Sequence, residues 1–215
     1  MKRRLRVLLQ EHSDALACCR RCGHAGDVTP VVSSARAPKI MLVGQAPGRM
    51  EAMNGRPFAG RAGGTLFRWL ASIGLNEESA RRRIYIAAVT RCYPGPSPTG
   101  RGDRVPSRRE RELCAGWLDE ELRIIRPRVL IPVGRLAIDR FLGPQSLDLL
   151  IGRAHDVEHV GGRSLAIPLP HPSGASSWIH GPGHRAQLQS ALQLLRHELT
   201  QLDVIPRRAK HRSVA

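Results

Sequence analysis

The chain is short of acidic residues. Only 18 of its 215 residues are Asp or Glu, against 34 Lys or Arg, so the formal net charge is +16. Lysine is scarce as well, and arginine supplies nearly all of the positive charge. This balance argues against an acidic, self-solvating chain and favours a polyanionic partner, nucleic acid first, since guanidinium groups contact phosphate in a bidentate manner. A plainly solvated surface is the alternative interpretation.

Long apolar runs are also missing. No stretch of about 18 apolar residues is present that would span a membrane. Met1-Lys2-Arg3-Arg4 leads into an amphipathic segment rather than into the apolar core of a signal peptide. We therefore expect no membrane association and a reducing, cytoplasmic compartment. With 41% hydrophobic residues and 4% aromatic ones, the chain suits one globular domain, which we place at residues 1–205, followed by a basic, flexible tail at 206–215.

Cysteines are few, but their spacing is informative. Cys19 and Cys22 form a C-x2-C pair, Cys92 and Cys114 lie far downstream, and Cys18 is left over. In a reducing compartment this pattern indicates a metal or cluster site rather than disulfides. Buried free thiols are the alternative. Spacing alone does not separate zinc from an iron–sulfur cluster, because both accept four thiolates.

Short apolar runs alternate with amphipathic segments. The runs predict strands at residues 39–44, 84–90, 129–134 and 164–169, and the amphipathic segments predict helices at about 66–73, 107–125, 135–142 and 184–202. This alternation is typical of an α/β protein with a mainly parallel sheet between helices. The Pro- and Gly-rich residues 93–106 are expected to form a long loop.

Three of the predicted strands run into sequences that such a sheet would bring to one edge. They are Gly44-Gln-Ala-Pro-Gly48, Thr90-Arg-Cys-Tyr-Pro94 and Pro170-His-Pro-Ser173. Ligands of open α/β sheets bind beyond the carboxyl ends of the strands. We therefore expect one cleft at this edge.

These motifs, with Asn54-Gly-Arg-Pro-Phe-Ala-Gly60, resemble the iron–sulfur-containing prokaryotic branch of the uracil-DNA glycosylase superfamily, families four and five. The resemblance covers nearly the whole chain and includes a G-R-P-F-x-G segment and a late H-P-S motif. It implies a three-layer α-β-α sandwich around a central four-stranded, mainly parallel sheet. It also implies a [4Fe-4S] cluster rather than zinc, held by Cys19, Cys22, Cys92 and Cys114.

The activity that the resemblance implies is hydrolytic release of a damaged base flipped out of DNA, a step of base excision repair. His171 would donate a hydrogen bond to the base oxygen on which negative charge develops. Phe58 would stack on the base, while the backbone at Gly44 and Ala46, together with Ala88, would border it. The alternatives are a structural role for His171 and ordinary core packing for Phe58.

Two positions depart from family four. Gln45 stands where that family usually has an acidic residue, and an amide can orient water but cannot act as a general base. We therefore assign the water to Gln45 or Glu51. Ala88 stands where family four has an asparagine that reads the edge of uracil, so we expect less strict selection, with hypoxanthine or xanthine as further substrates.

The 21 residues between Cys92 and Cys114 are rich in arginine and contain no histidine. A related branch has here a histidine that bonds covalently to DNA, so its absence predicts ordinary hydrolysis. We interpret Arg101, Arg104 and Arg108 as phosphate contacts, with a disordered loop as the alternative. Ser173 and Gly174 begin a loop expected to enter the minor groove.

Trp178, later in that loop, would either fill the gap left by the flipped base or pack against the sheet. We expect single- or double-stranded DNA as the partner, a monomer, and a prokaryotic, nucleoid-associated location. Two other functions stay open. One is a catalytically weak or inactive DNA-binding homologue, which Gln45 and Ala88 favour, and the other is a zinc-bound regulatory module.

Overall fold

A computed structural model describes residues 2–22, 29–33, 39–99, 102–173 and 177–206. In this part of the chain, five strands form one sheet in the order β2-β1-β3-β5-β4. The strands are β1 (Ile40–Gly44), β2 (Ile84–Ala88), β3 (Val129–Pro132), β4 (His155–His159) and β5 (Gly162–Ala166). All neighbouring pairs are parallel except β4 and β5, which form an antiparallel hairpin.

The four predicted strands and their mainly parallel pairing are confirmed, but the strand count of four was wrong. The fifth strand, β4, has the sequence His-Asp-Val-Glu-His, and only Val157 in it is buried. An edge strand pairs along one side only, so its sequence carries no apolar run. The hairpin to β5 therefore had no signal in the hydrophobic pattern.

Eight α-helices and one short 3-10 helix are present among the described residues. The helices are α1 (Lys2–Ala17), α2 (Arg49–Asn54), α3 (Arg61–Ser72), α4 (Glu77–Arg83), α5 (Arg108–Ile125), α6 (Arg135–Leu142), α7 (Leu147–Leu150) and α8 (His184–Gln201), and the 3-10 helix is Ser177–His180. The four predicted helices are confirmed as α3, α5, α6 and α8. Helix α5 begins at a capping box, in which Ser107 Oγ accepts from the Glu110 N–H and the Glu110 carboxylate accepts from the Ser107 N–H.

Strand side chains alternate between two hydrophobic clusters, one on each face of the sheet. Leu42 and Ile131 pack with α3 and α8 on one face. Val43 and Leu130 pack with α1, α5 and α6 on the other. The three-layer α-β-α sandwich is therefore confirmed. No helix in the described ranges combines the length and apolarity needed to cross a membrane.

Backbone hydrogen bonds join the loops at the carboxyl ends of the strands. The N–H groups of Val89 and Thr90 donate to the carbonyls of Gly44 and Gln45, at 3.0 and 3.2 Å. The Gly134 N–H donates to the Leu169 carbonyl at 2.9 Å. The hydrogen bonding of the sheet thus continues past the ends of its strands and fixes four loops, those after β1, β2, β3 and β5, at one edge.

Candidate active site

A cavity of about 460 Å³ opens at this edge, within the size range of small-molecule sites. Most of the predicted site residues line it, namely Gly44, Gln45, Ala46, Glu51, Phe58, Ala88, Arg104, His171 and Ser173. Arg108 is exposed on α5 and is not part of the lining. Arg101 and Gly174 lie outside the described residues. One edge of the sheet therefore brings together motifs that are up to about 130 residues apart in sequence.

The protonation state of His171, which lines the cavity, follows from its hydrogen bonds and its burial. Its Nδ1 accepts from the Ser173 backbone N–H at 3.3 Å and lies 2.8 Å from Ser173 Oγ. Burial lowers the pKa of His171 from its usual 6.5, so the ring is neutral near pH 7. Because a backbone N–H can only donate, Nδ1 is an acceptor and the proton of the neutral ring is on Nε2. The ring therefore offers one neutral N–H donor.

Gly134, just after β3, makes room for this ring. A Cβ atom added to Gly134 would lie 2.9 Å from His171 Cδ2, closer than side chains approach, and the backbone φ of Gly134 is +82°. Glycine adopts such an angle without steric cost. Position 134 thus controls where the imidazole sits.

Phe58 forms another wall of the cavity. Its ring approaches Gly44 so closely that a Cβ on Gly44 would lie 3.0 Å from Phe58 Cζ. Its φ of +51° is rare for a bulky residue, and such backbone strain, about 1–3 kcal/mol, clusters at functional sites. Arg81 stabilises this conformation by donating to the carbonyls of Pro57 and Phe58, at 2.8 and 3.0 Å. The same ring packs against the hydrophobic core, so Phe58 both lines the cavity and takes part in core packing.

Glu51 joins two of the sequence motifs. Its Oε2 accepts from the Gly48 N–H at 3.0 Å, and its Oε1 accepts from the Gly60 N–H at 2.8 Å. Each carboxylate oxygen thus accepts a hydrogen bond from a backbone N–H group. The assignment of the water to Glu51 or Gln45 stays a prediction, but these contacts already give Glu51 a positioning role.

The Pro- and Gly-rich loop is folded back on itself. Pro96 and Asp103 form an isolated β-bridge, and the Ser97 N–H donates to the Gly102 carbonyl at 2.9 Å. Arg104 donates through both Nη atoms to Glu110, with Nη1 at 2.7 Å from Oε2. That ion pair lowers the pKa of Glu110 to about 2, chiefly through the hydrogen bond from Arg104. Arg104 therefore anchors the loop to α5, and its phosphate contact stays a prediction.

Trp178 packs rather than projecting freely. Its indole stacks on His184, with ring centroids 4.2 Å apart, and its Nε1 donates to Asp148 at 2.5 Å. His184 Nε2 in turn lies 2.9 Å from Asp148. These contacts, with packing against the core, favour the structural interpretation of Trp178.

Four of the cysteines lie near one another. Burial, together with the charges of Cys22, Cys114 and Cys19, raises the pKa of Cys92 to about 12. Burial also raises the pKa of Cys114 to about 11, although nearby Arg91 acts in the opposite direction. Among the described residues, no group of three or more His, Cys, Asp or Glu side chains is arranged to hold a metal ion. The four thiols are nevertheless close enough for their charges to affect one another.

Two features had no motif to reveal them. Asp103, from the folded-back loop, lines the same cavity as Gln45 and His171. Arg91 and Glu121 form an ion pair buried between β2 and α5. An Arg and a Glu 30 positions apart carry no pairing signal in a sequence, and an Asp in a loop reads as a turn residue.

Comparison with known proteins agrees with this geometry. The family model described as Uracil DNA glycosylase superfamily matches residues 31–196. The chain is 33% identical over 180 residues to a type-4 uracil-DNA glycosylase of Archaeoglobus fulgidus, covering 80% of this chain and 83% of the relative. It is 30% identical over 168 residues to the type-4 enzyme of Thermotoga maritima, covering 77% and 82%.

A type-5 uracil-DNA glycosylase of Pyrobaculum aerophilum is 33% identical over 110 residues, which is 46% of each chain. The family match spans all five strands of the sheet, helices on both of its faces and the whole cavity. The chain therefore belongs to the uracil DNA glycosylase superfamily.

Proposed function

We propose that this protein is a monofunctional DNA glycosylase that releases uracil from DNA by hydrolysis, as part of base excision repair. The observation that carries the proposal is the cavity at the sheet edge, where the ring of Phe58 and the neutral imidazole of His171 both line a space of about 460 Å³. The names of the type-4 and type-5 relatives support it.

The residues of the cavity match the charges that this reaction creates. When the bond between C1′ and the base breaks, the electron pair leaves with the base, and the sugar becomes oxocarbenium-like. The Nε2–H of His171 would donate to the base oxygen that gains negative charge, and its burial strengthens such a bond. Phe58 would stack on the flipped base, which offsets part of the cost of unstacking, about a few kcal/mol.

The selectivity of the pocket is expected to be broad. Ala88 ends β2 opposite Gly44 in the sheet register and lines the cavity, but its methyl group cannot hydrogen-bond to a base. A site without a polar side chain at that wall loses little binding free energy when another base replaces uracil, because no buried polar group of the protein is left without a hydrogen-bond partner. Hypoxanthine and xanthine are therefore proposed as further substrates.

The substrate is DNA, single- or double-stranded. The net charge of +16 favours phosphate binding, and Arg108 is exposed beside the folded-back loop. Ser173 supports His171, and the loop that it begins is proposed to contact the DNA. We propose that the protein acts as a monomer, in the cytoplasm near the nucleoid.

A [4Fe-4S] cluster held by Cys19, Cys22, Cys92 and Cys114 fits the residues present. The Nε and Nη1 atoms of Arg91 are buried without a hydrogen-bond partner among the described residues, and the effect of Arg91 on the pKa of Cys114 places the two side chains close together. An anionic cluster with inorganic sulfides would accept from such donors. When bound, the cluster would supply a structural cross-link between the end of α1, the end of β2 and α5.

Base release tests the proposal directly. Oligonucleotides carrying uracil, hypoxanthine or xanthine, single- and double-stranded, are incubated with the wild type, with His171→Ala and with His197→Ala, whose side chain is exposed on α8. We expect release by the wild type and by His197→Ala, and a loss of about 10²-fold or more for His171→Ala. DNA binding without release of any base would instead support the inactive homologue that Gln45 and Ala88 favour.

A further inference from the structure

The cavity contains a second carboxylate, Asp103, that none of the sequence motifs includes. The loop between β2 and α5 turns back at the Pro96–Asp103 bridge, and the Arg104 N–H donates to the Gly95 carbonyl at 3.1 Å. This turn presents Asp103 to the same space that Gln45 and His171 line. The position of Asp103 is thus set by backbone contacts on both of its sides.

Asp103 and Glu51 converge on Gly48. A Cβ atom added to Gly48 would lie 2.7 Å from Glu51 Oε2 and 2.8 Å from Asp103 Oδ2. Both oxygens are therefore close to one point, and their separation is smaller than the sum of these distances. A side chain at position 48 would collide with both carboxylates, so glycine lets them approach the same stretch of backbone.

The two carboxylates have different partners. Both Glu51 oxygens accept from backbone N–H groups, those of Gly48 and Gly60. The Tyr93 side chain lies close enough to Asp103 for its hydroxyl to donate to the carboxylate. A tyrosine hydroxyl supplies one hydrogen, so it orients the Asp103 carboxylate and leaves acceptor capacity that faces the cavity.

We infer that Asp103 is the general base of the reaction, the carboxylate that positions and deprotonates the attacking water, with Tyr93 as its positioning residue. This inference rests on the proposed function. The water oxygen forms a bond to C1′ of the deoxyribose, and the bond from C1′ to the base breaks with its electron pair leaving on the base. One water proton passes to the Asp103 carboxylate and from there to solvent.

This assignment resolves the chemistry that Gln45 leaves open. An amide side chain can hold a water but cannot take its proton, and Glu51 is engaged in bracing two loops. A carboxylate at the mouth also stabilises the positive charge that develops on the sugar, since opposite charges attract strongly in a site closed off by DNA. The base thus comes from the loop after β2 rather than from the first motif.

The charged and titratable groups around Asp103 belong to three elements. They are Arg49 and Glu51 of α2, Tyr93 and Arg104 of the folded-back loop, and His171 of the loop after β5. Glu51 and His171 also line the cavity, so variants of these two residues are compared with those of Asp103.

The experiment measures single-turnover release of uracil from single-stranded DNA between pH 4.5 and 8, with DNA affinity measured in parallel. We expect Asp103→Asn to slow release by about 10²-fold and to bind DNA at least as tightly, since a negative charge is removed. Asp103→Glu should recover part of the rate, and Tyr93→Phe should show a smaller decrease. Asp156→Asn, exposed on β4, is the matched control and should behave as the wild type.

Two results would overturn the inference. One is release by Asp103→Asn within about threefold of the wild type. The other is a larger loss of release in folded Glu51→Gln than in Asp103→Asn, with DNA affinity unchanged in both. A wild type that releases no base from any DNA is a separate outcome, which overturns the proposed function and the inference with it.

Discussion

Trp117 donates its indole N–H to the sulfur of Cys19 at 3.2 Å. The donor belongs to α5 and the acceptor to the segment after α1. The guanidinium of Arg21 lies 4.9 Å from the centre of the same indole ring, and His12 meets it edge-on at 5.3 Å. One tryptophan thus joins the end of α1 to the helix that carries Cys114.

Trp117→Phe tests this contact in the protein loaded with iron and sulfide. Hydrogen bonds to ligand sulfurs stabilise cluster thiolates, so we expect the visible absorbance of the cluster to bleach faster in air than in the wild type. Trp69→Phe is the matched control, because Trp69 packs against the hydrophobic cluster on the opposite face of the sheet. Equal bleaching of both variants would contradict a role for the Trp117 hydrogen bond.

Gly134→Ala separates the placement of His171 from backbone strain. The added methyl would meet the imidazole at 2.9 Å, whereas Gly143, with a similar φ of +74°, has nothing within 4 Å of its Cβ position. Both alanine variants should lose about 1–3 kcal/mol of unfolding free energy, because both glycines have backbone angles in a region that is essentially restricted to glycine. Only Gly134→Ala should also lose about 10²-fold in uracil release, as expected for a displaced catalytic group. Similar release by both variants would mean that the ring tolerates displacement.

Glu121→Gln should be strongly destabilising. Glu121 is fully buried, where it pairs with Arg91 and accepts from the Tyr85 hydroxyl at 2.7 Å. Removing one charge leaves the other buried and uncompensated, which costs about 3–5 kcal/mol. The control is Glu120→Gln, whose partner Arg123 lies 3.2 Å away on the surface and whose loss should change the unfolding free energy by less than about 1 kcal/mol. Denaturant titration of both variants measures the difference.

Acid should weaken the fold partly through two histidines. Burial lowers the pKa of both His171 and His159 from the usual 6.5, and the charge of Arg140 adds to the effect on His159. Below about pH 6.5 the unfolded chain binds protons that the folded chain does not, so the unfolding free energy decreases as the pH falls, and it is unaffected by these groups above that pH. His159→Gln should reduce this slope without touching the cavity. Replacing exposed His197 by Gln provides the control, and an unchanged slope in His159→Gln would contradict the assignment.

Much of the fold follows from local patterns. The apolar runs that became β1, β2, β3 and β5 are buried strands of a parallel sheet, and their sequence is apolar because both faces are covered by helices. Helix α6 was predicted at its observed residues, Arg135–Leu142. Strand β4 was missed because an edge strand with one buried residue has no such pattern.

The same contrast holds within the candidate site. Gly44 and His171 belong to motifs next to strand ends, so their meeting at one edge of the sheet was predictable from sequence. His171 Nδ1 is an acceptor because the backbone N–H of Ser173, two residues later, donates to it. Glu51 joins two loops because the backbone N–H groups of Gly48 and Gly60 donate to its carboxylate. Such contacts are set by backbone geometry, which residue types alone do not encode.

The amino-acid sequence by itself determined the sheet class, the strand-end motifs and the family. The hydrophobic pattern indicates which segments are buried, and the spacing of the motifs gives their order along the chain. Only the tertiary structure decided that Asp103 faces the cavity, that Trp178 is held by His184 and Asp148, and that Arg91 is paired with Glu121. These are contacts between side chains distant in sequence. Their energies depend on distances of a few ångströms that exist only after the loops have packed onto the sheet.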